Sequence, residues 1–269
     1  MSVLTAAQRV KLARSVARPG SMDFIHALFT DVFECKGDRL HREDPSIFGA
    51  IARFHGRPVT VIGTRKGRTF EEKMKYNFGM PSPEGYRKAQ RLMRQAEKFG
   101  RPIITFVDTS GAYPGLEAEA EGQGEAIASS LALMSGLTVP VVVVVIGEAG
   151  SGGALALAVG NRVVLLENAV YSVLSPEGFA SILWKDAGRA DEAAEVMKLT
   201  AADLLRLGVA DQVIPEPEGG AQNDPQAVFA AVDKALTRHL NQLAKVKDLA
   251  ADRYQKFRAM GAVREESDT

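Results

Sequence analysis

The chain has 269 residues, enough for one large domain or two small ones with a substantial core. Its 33 basic and 33 acidic side chains cancel, which argues against a dedicated nucleic-acid binder. A single cysteine, Cys35, excludes an internal disulfide and a cysteine-rich zinc site.

In chain order, residues 5–17 are expected to form a helix with Val10, Leu12, Ala13 and Val16 on one face. Arg9, Lys11, Arg14 and Arg18 make it basic, which suits either solvent or an acidic partner. MDFIHALFTDVFECKGDRL reads as a second helix running into a turn at Lys36-Gly37-Asp38, so residues 5–35 form a helical N-terminal segment. IFGAIARFHGRPVTVIGTRKG then reads as strand, tight turn at His55-Gly56, and strand. TRKGRTFEEKMKY, 64–76, is highly charged and expected at the surface. Ser82-Pro83 opens a helix, serine as cap and proline first, with Tyr86, Ala89, Leu92, Met93, Ala96 and Phe99 recurring at three and four.

PIITFVD, 102–108, is a short apolar strand, and TSGAYPG, 109–115, an irregular turn. A helix over 122–136 leads to a second buried strand at 141–146. A glycine loop follows over Gly147–Gly153, then a helix near Gly153 to Val159. This alternation predicts parallel strands buried on both faces. RVVLLE and VYSVLS add strands, and SPEGFASILW, GRADEAAEVM and TAADLLRLG add helical pieces. VADQVI is a short strand and 215–225 a surface loop. Residues 226–243 form a long amphipathic helix, and a charged helix extends to about 260. The longest strongly apolar run, Val139–Ile146, is too short to span a bilayer, so a soluble, cytoplasmic protein is expected, with no membrane contact.

The two glycine-containing turns carry the chemistry. The lysine of a Walker loop is missing after Gly153, where Ala154 and Leu155 stand. A dinucleotide fingerprint fails at Leu155 or Ile127. Ala149-Gly150-Ser151-Gly152-Gly153 approximates a nucleophile elbow, but the only later histidine is His239, inside the amphipathic helix pattern. His26, His41 and His55 are scattered and show no metal-ligand spacing. What remains is backbone chemistry. Glycines uncover N–H groups, and at a helix start those groups converge on an anion with help from the helix dipole. One such loop also suits mere close packing; two after successive buried strands favour an anion or enolate site.

Read together and in order, several stretches resemble one family. They are RPVTVIG, KGR, NFGMPSPEGYRKA, PIITFVDTSGAYPG, GQGEAIA, VIGEAGSGGALALAVG, YSVLSPEGFASILWKD and IPEPEGGA, spanning about Leu12 to Met260. The chain resembles the alpha subunits of bacterial acetyl-coenzyme A carboxylase carboxyltransferase. Three departures from the usual pattern stand out: Ser110 replaces proline, Lys36 replaces a common histidine, and the N-terminal helical extension seen in many members is short or absent.

The resemblance implies an α/β, crotonase-like (ClpP/crotonase) fold, a spiral of ββα units, with extra N- and C-terminal helices. It implies one carboxyltransferase domain over 1–269, with C-terminal helices over 226–260. The implied reaction transfers a carboxyl group from carboxybiotin, on the biotin carboxyl carrier protein, to acetyl-CoA, giving malonyl-CoA for fatty acid biosynthesis. The base comes from the cofactor, which suits a site rich in glycine and poor in histidine. The implied partners are a beta subunit in an α2β2 heterotetramer, the carrier protein and biotin carboxylase, with zinc only on the beta subunit. By this resemblance the backbones of Gly111, Ala112, Gly152 and Gly153 would surround the biotin ureido oxygen. Tyr113 and Pro114 would shape the loop, and Tyr171, Ser175, Pro176 and Phe179 would line the biotin pocket. Arg65, Lys66 and Arg68 lie in a basic cluster that suits either solvent or contact with coenzyme A phosphates or acidic groups on a partner. Two other readings share the fold: a different crotonase-like enzyme, such as a decarboxylase subunit or a carboxyltransferase acting on another acyl thioester, and a non-catalytic interaction subunit. The two glycine loops argue against the second.

Overall fold

The computed structural model describes residues 4–261. The chain begins with helices α1 (Ala6–Ala13) and α2 (Ser21–Leu28), then strands β1 (Thr30–Glu34), β2 (Ile47–Phe54) and β3 (Arg57–Thr64). Helices α3 (Phe70–Lys75) and α4 (Pro83–Lys98) lead to β4 (Ile103–Thr109). Helices α5 (Leu116–Ala120) and α6 (Gln123–Gly136) precede β5 (Val141–Gly150), α7 (Ser151–Leu155), β6 (Arg162–Leu166) and β7 (Val170–Ser172). Helices α8 (Pro176–Phe179), α9 (Ala190–Val196) and α10 (Ala201–Arg206) precede β8 (Gln212–Ile214), and α11 (Pro225–Leu243) and α12 (Leu249–Ala259) follow it.

The strands form one mixed sheet in the order β1-β2-β3-β4-β5-β6-β8. β1, β2 and β3 pair antiparallel; β3 to β6 and β8 pair parallel. The central strands are buried on both faces, so they read as near-continuous apolar runs, as parallel strands should. On one face Phe24 of α2 stacks on Phe106 of β4 and meets Phe229 of α11 edge-on. On the other, α4 packs on β2 and α6, where the buried Gln90 amide bonds Ala126 O and Ser130 Oγ.

The N-terminal segment corrects the sequence reading twice. The first helix ends at Ala13, and 30–34 is an edge strand instead of helix. Its partner explains it: Phe33 and Glu34 pair with Ile51 and Ala50 of β2. Arg9 of α1 and the arginines just after it turn inward to polar and acidic groups of the same chain, while Lys11 stays exposed opposite Asp191. Arg9 bonds Asn168, Arg14 bonds Glu148 and Glu177, and Arg18 pairs with Glu216 in the interior. A small apolar cluster of Val10, Ala13, Val170 and Leu199 seals it.

β5 changes neighbour halfway along. Val142–Val145 pair with β6, whereas Glu148–Gly150 pair with β7. A register shift against β4 lies between these halves, Val107 facing Val145 but Thr109 facing Ala149. The Asp108 carboxylate fills this irregularity, accepting from the Glu148 N–H at 3.0 Å and from Lys66 Nζ at 2.7 Å. The strand ends of β4 and β5 thereby come to rest side by side.

Candidate functional site

The stretch expected to be a loop over 147–153 is not one. β5 stays extended and buried through Gly150, and α7 starts at Ser151. Pairing of Glu148–Gly150 with β7 holds those residues in the sheet. The turn after β4 lies directly against this junction. A Cβ on Gly150 would fall 2.1 Å from Ser110 O, and one on Gly153 would fall 2.3 Å from Ala112 N. Real side chains cannot approach so closely, so only glycine allows these two backbones to meet.

The four expected donors are therefore brought together, but they are not equivalent. The Gly111 N–H is already bonded to Thr109 Oγ1 at 3.1 Å. Gly111 instead contributes its φ of +148°, which an L side chain rarely adopts. Among the described residues the Ala112 N–H has no acceptor. The N–H groups of Gly152 and Gly153 belong to the first turn of α7 and precede the first helical bond. α7 has only five residues, so individual N–H groups rather than a long-helix dipole are what it offers.

The residues expected around these donors divide. Tyr113 is pinned, its N–H bonding Pro81 O at 3.0 Å and its carbonyl accepting from Gln123 Nε2 at 2.9 Å; Pro114 is exposed. Tyr171 faces Ala149 across the β5–β7 pair, and burial pushes its phenol pKa well up. Ser175 is occupied as a helix cap, its Oγ accepting from the Gly178 N–H at 3.0 Å. Pro176 is the buried first residue of α8, and Phe179 packs edge-on to Trp184 with ring centroids 5.5 Å apart. Arg14 ties α8 to the junction by bonding both Glu177 and Glu148.

Arg65, Lys66 and Arg68 lie elsewhere, on a cavity of about 400 Å³ between the α1–α2 linker and the segment after β3. Each has an acidic partner in the chain. Arg65 meets Glu34 at 3.2 Å and lies 4.6 Å over the Phe48 ring, Lys66 bonds Asp108, and Arg68 bonds Asp23 at 2.5 Å. Only Lys66 reaches toward the junction, lying 3.7 Å from Glu148.

A hydrolase triad is not assembled. His239 is buried in α11, its Nε2 2.9 Å from Gln212 Oε1, and burial lowers its pKa. Gln212 is in register with Val164, and Val164 with Val144, seven residues before Ser151. That is about 20 Å of strand. His41 Nδ1 does approach Glu84 at 2.8 Å and Glu121 at 3.6 Å, a cluster that spacing did not reveal. Arg42 at 3.0 Å and Arg87 at 3.8 Å already occupy the same Glu84 oxygen, so the group is an ion-pair network. Sequence reasoning missed Tyr86 as well, reading it only as a core position; its hydroxyl donates to Gly153 O at 3.1 Å.

Residues 1–261 match the family described as acetyl co-enzyme A carboxylase carboxyltransferase-like. The acetyl-coenzyme A carboxylase carboxyl transferase subunit alpha of Geobacillus sp. (strain WCH70) is 57% identical over 260 residues, covering 96% of this chain and 80% of the relative. The subunit of the same name from Clostridium acetobutylicum is 57% identical over 267 residues, covering 98% of this chain and 97% of the relative. Among solved structures, transcarboxylase 12S with methylmalonyl-coenzyme A and methylmalonic acid bound superposes with a TM-score of 0.67 at 21% identity, over 86% of this chain and 44% of that one. A Pseudomonas malonate decarboxylase hetero-dimer does so with a TM-score of 0.65 at 20% identity, over 80% of this chain and 89% of that one. These two likenesses establish the fold, which is the crotonase-like architecture expected from the sequence.

Proposed function

Because the chain belongs to the acetyl-coenzyme A carboxylase carboxyltransferase alpha-subunit family, we propose that it carries one half of that transferase site. With a beta subunit it moves the carboxyl group of carboxybiotin to acetyl-CoA, giving malonyl-CoA for fatty acid synthesis. The observation that carries the site assignment is the backbone contact between Gly153 and Ala112. It brings the N–H groups of Ala112, Gly152 and Gly153 close to one another.

The residues present fit a flat acceptor ring. A Cβ on Gly111 would meet nothing nearer than 3.9 Å and one on Gly152 nothing nearer than 3.4 Å, so space remains beside the donors. Biotin, when bound, supplies the carboxyl group and the ring nitrogen that accepts a proton. The chain does the rest. Its N–H groups hold the ureido oxygen where negative charge develops, each well-placed donor contributing on the order of 3 kcal/mol. Gly111 shapes the turn and Thr109 fixes it; Tyr113, Pro114 and Tyr171 wall the neighbouring space. Ser175, Pro176 and Phe179 act by building α8 beside it.

The beta subunit bears the zinc, the assembly is α2β2, and biotin carboxylase charges the carrier protein. Leu116, four residues after Ala112, is 89% exposed, and Val173, next to the Ser172 that pairs with Gly150, is 73% exposed, which suits a surface covered by a partner. Among the described residues no helix is long and apolar enough to cross a membrane, in keeping with work in the cytoplasm. Co-expression with the beta subunit of the same cell, light scattering, and an assay of malonyl-CoA-dependent carboxylation of free biotin test the reading. A heteromer carrying the activity is expected. Full activity in an isolated monomer, or an assembled heteromer with none, would overturn it.

A further inference from the structure

We propose that Tyr86 is a positioning residue for this carboxyl transfer, holding the first turn of α7 so that its N–H groups face the reacting oxygen. The proposal rests on the reading of that turn given above. Tyr86 stands on α4, is fully buried, and belongs to no part of the expected site. Its hydroxyl donates to the Gly153 carbonyl at 3.1 Å.

The helix itself leaves that carbonyl aside. The Ala156 N–H bonds Gly152 O at 2.9 Å and the Leu157 N–H bonds Ala154 O at 3.0 Å, so the backbone ladder passes over Gly153 O. A buried carbonyl without a partner is costly, and the Tyr86 hydroxyl takes the place of the missing N–H. The bond also sets orientation. Fixing the Gly153 carbonyl holds the Gly153–Ala154 peptide plane and so anchors one side of Gly153, whose own N–H is a donor on the other; the Tyr86 oxygen lies only 2.7 Å from the position of a Gly153 Cβ. Ala112 N borders the same position at 2.3 Å, so one hydroxyl sits under the meeting point of both donor segments. Burial, with the Asp44 carboxylate nearby, pushes the phenol pKa well above its ordinary value, so the group remains a donor throughout the working pH range. Its ring needs no contact with either substrate to act.

The two consequences separate. A residue that only fills space would, when altered, change stability and leave turnover alone. A residue that aims donors changes turnover and leaves substrate affinity alone, because a donor aimed at charge developing in the transition state acts there most strongly. Tyr86→Phe keeps the ring and removes only the O–H.

The test uses the assembled transferase, with activity expressed per folded heteromer isolated by size exclusion. Wild type must first carboxylate biotin from malonyl-CoA; its failure would strike the functional reading and not the role of Tyr86 within it. Given an active wild type, Tyr86→Phe is expected to lower kcat about tenfold to a hundredfold. KM for biotin and for malonyl-CoA should each stay within about twofold. A kcat within about twofold of wild type, or a loss appearing wholly in KM, would overturn the proposal. Tyr86→Leu, which also removes the ring, should lower Tm further while reducing kcat no less than Tyr86→Phe. A Leu variant with higher kcat than the Phe variant would also contradict it.

Discussion

The Cβ that Gly153 lacks would fall 2.3 Å from the backbone nitrogen of Ala112, and 2.6 Å from the carbonyl carbon of Gly111. Two turns separated by some forty residues of chain therefore meet backbone to backbone. Neither atom belongs to a flexible side chain, so neither can swing away from a substituent.

Gly153→Ala should accordingly disturb the site much more than Gly152→Ala, whose Cβ would meet only Ile127 Cγ2 at 3.4 Å. The expected loss for Gly153→Ala is about 10²-fold in kcat or more, the cost of misplacing one donor. Overpacking should also lower stability by about 1–3 kcal/mol. Gly152→Ala should retain the wild-type Tm. Circular dichroism melts and turnover of both assembled variants measure the contrast, and equal melting temperatures would contradict it.

Ser151 is exposed and has φ +58°, an unusual conformation for a residue with a side chain. Its place after a strand resembles a nucleophile elbow, but His239 lies far off and is engaged with Gln212. Ser151→Ala should keep kcat within about tenfold, the loss of a hydroxyl that is not a nucleophile being far smaller than loss of an oxyanion donor. Ser151→Gly should melt no lower than wild type, because glycine adopts positive φ at no steric cost. Labelling of wild type by a fluorophosphonate at Ser151, joined to an inactive Ala variant, would restore the hydrolase reading.

The basic trio separates into a structural and a surface member. Lys66 is partly buried against Asp108 and Glu148, two residues before Ser110 and three before Ser151 respectively. Lys66→Met leaves the Asp108 carboxylate short of its cation and should cost about 1–3 kcal/mol, less than a fully buried pair because water screens it. Arg68 is exposed and, among the described residues, its side chain is ion-paired with Asp23 alone, so Arg68→Gln should change stability by less than about 1 kcal/mol. Arg68 contact with coenzyme A phosphates would show as a several-fold rise in KM for malonyl-CoA and a flatter salt dependence. An unchanged KM across a salt series leaves Arg68 an ordinary surface ion pair.

Acid stability should report on Glu216. Burial opposes its ionisation, but Arg18, with the Asn168 side chain and backbone, outweighs burial and holds the carboxyl below its ordinary value of 4.5. A folded-state pKa below the unfolded one stabilises the fold fully above the unfolded value. That contribution is lost as pH falls below 4.5 and through the depressed folded value. Glu216→Gln should lower Tm at neutral pH and flatten its decline on acidification. Parallel Tm–pH curves for wild type and variant would show that Arg18 and Glu216 do not set this dependence.

The sequence by itself determined most of the strands and long helices from β2 onward, because those signals are local, though not the short helices α3 and α5. Pro83 after Ser82 begins α4, Gly100 ends its last turn at φ +64°, and the valine run of β5 is buried from end to end. It also pointed to backbone rather than acid–base chemistry for the site, since His239 is the only histidine in the sequence after Ser151. Tertiary structure decided the rest, for reasons of distance along the chain. Residues 30–34 contain no clear strand period, with Phe33 70% exposed, and become β1 only by pairing with β2. Gly147–Gly150 carry the composition of a loop, yet Val170–Ser172 pair beside Glu148–Gly150 and hold that end of β5 extended. The Gly111 N–H looked free in the sequence, and only the folded turn aims Thr109 Oγ1 at it. Tyr86 carries the periodicity of an ordinary core residue; what its hydroxyl does depends on Gly153, sixty-seven positions later. Periodicity encodes which face a residue turns to the core, whereas the partner of a buried polar atom is fixed only when distant segments pack.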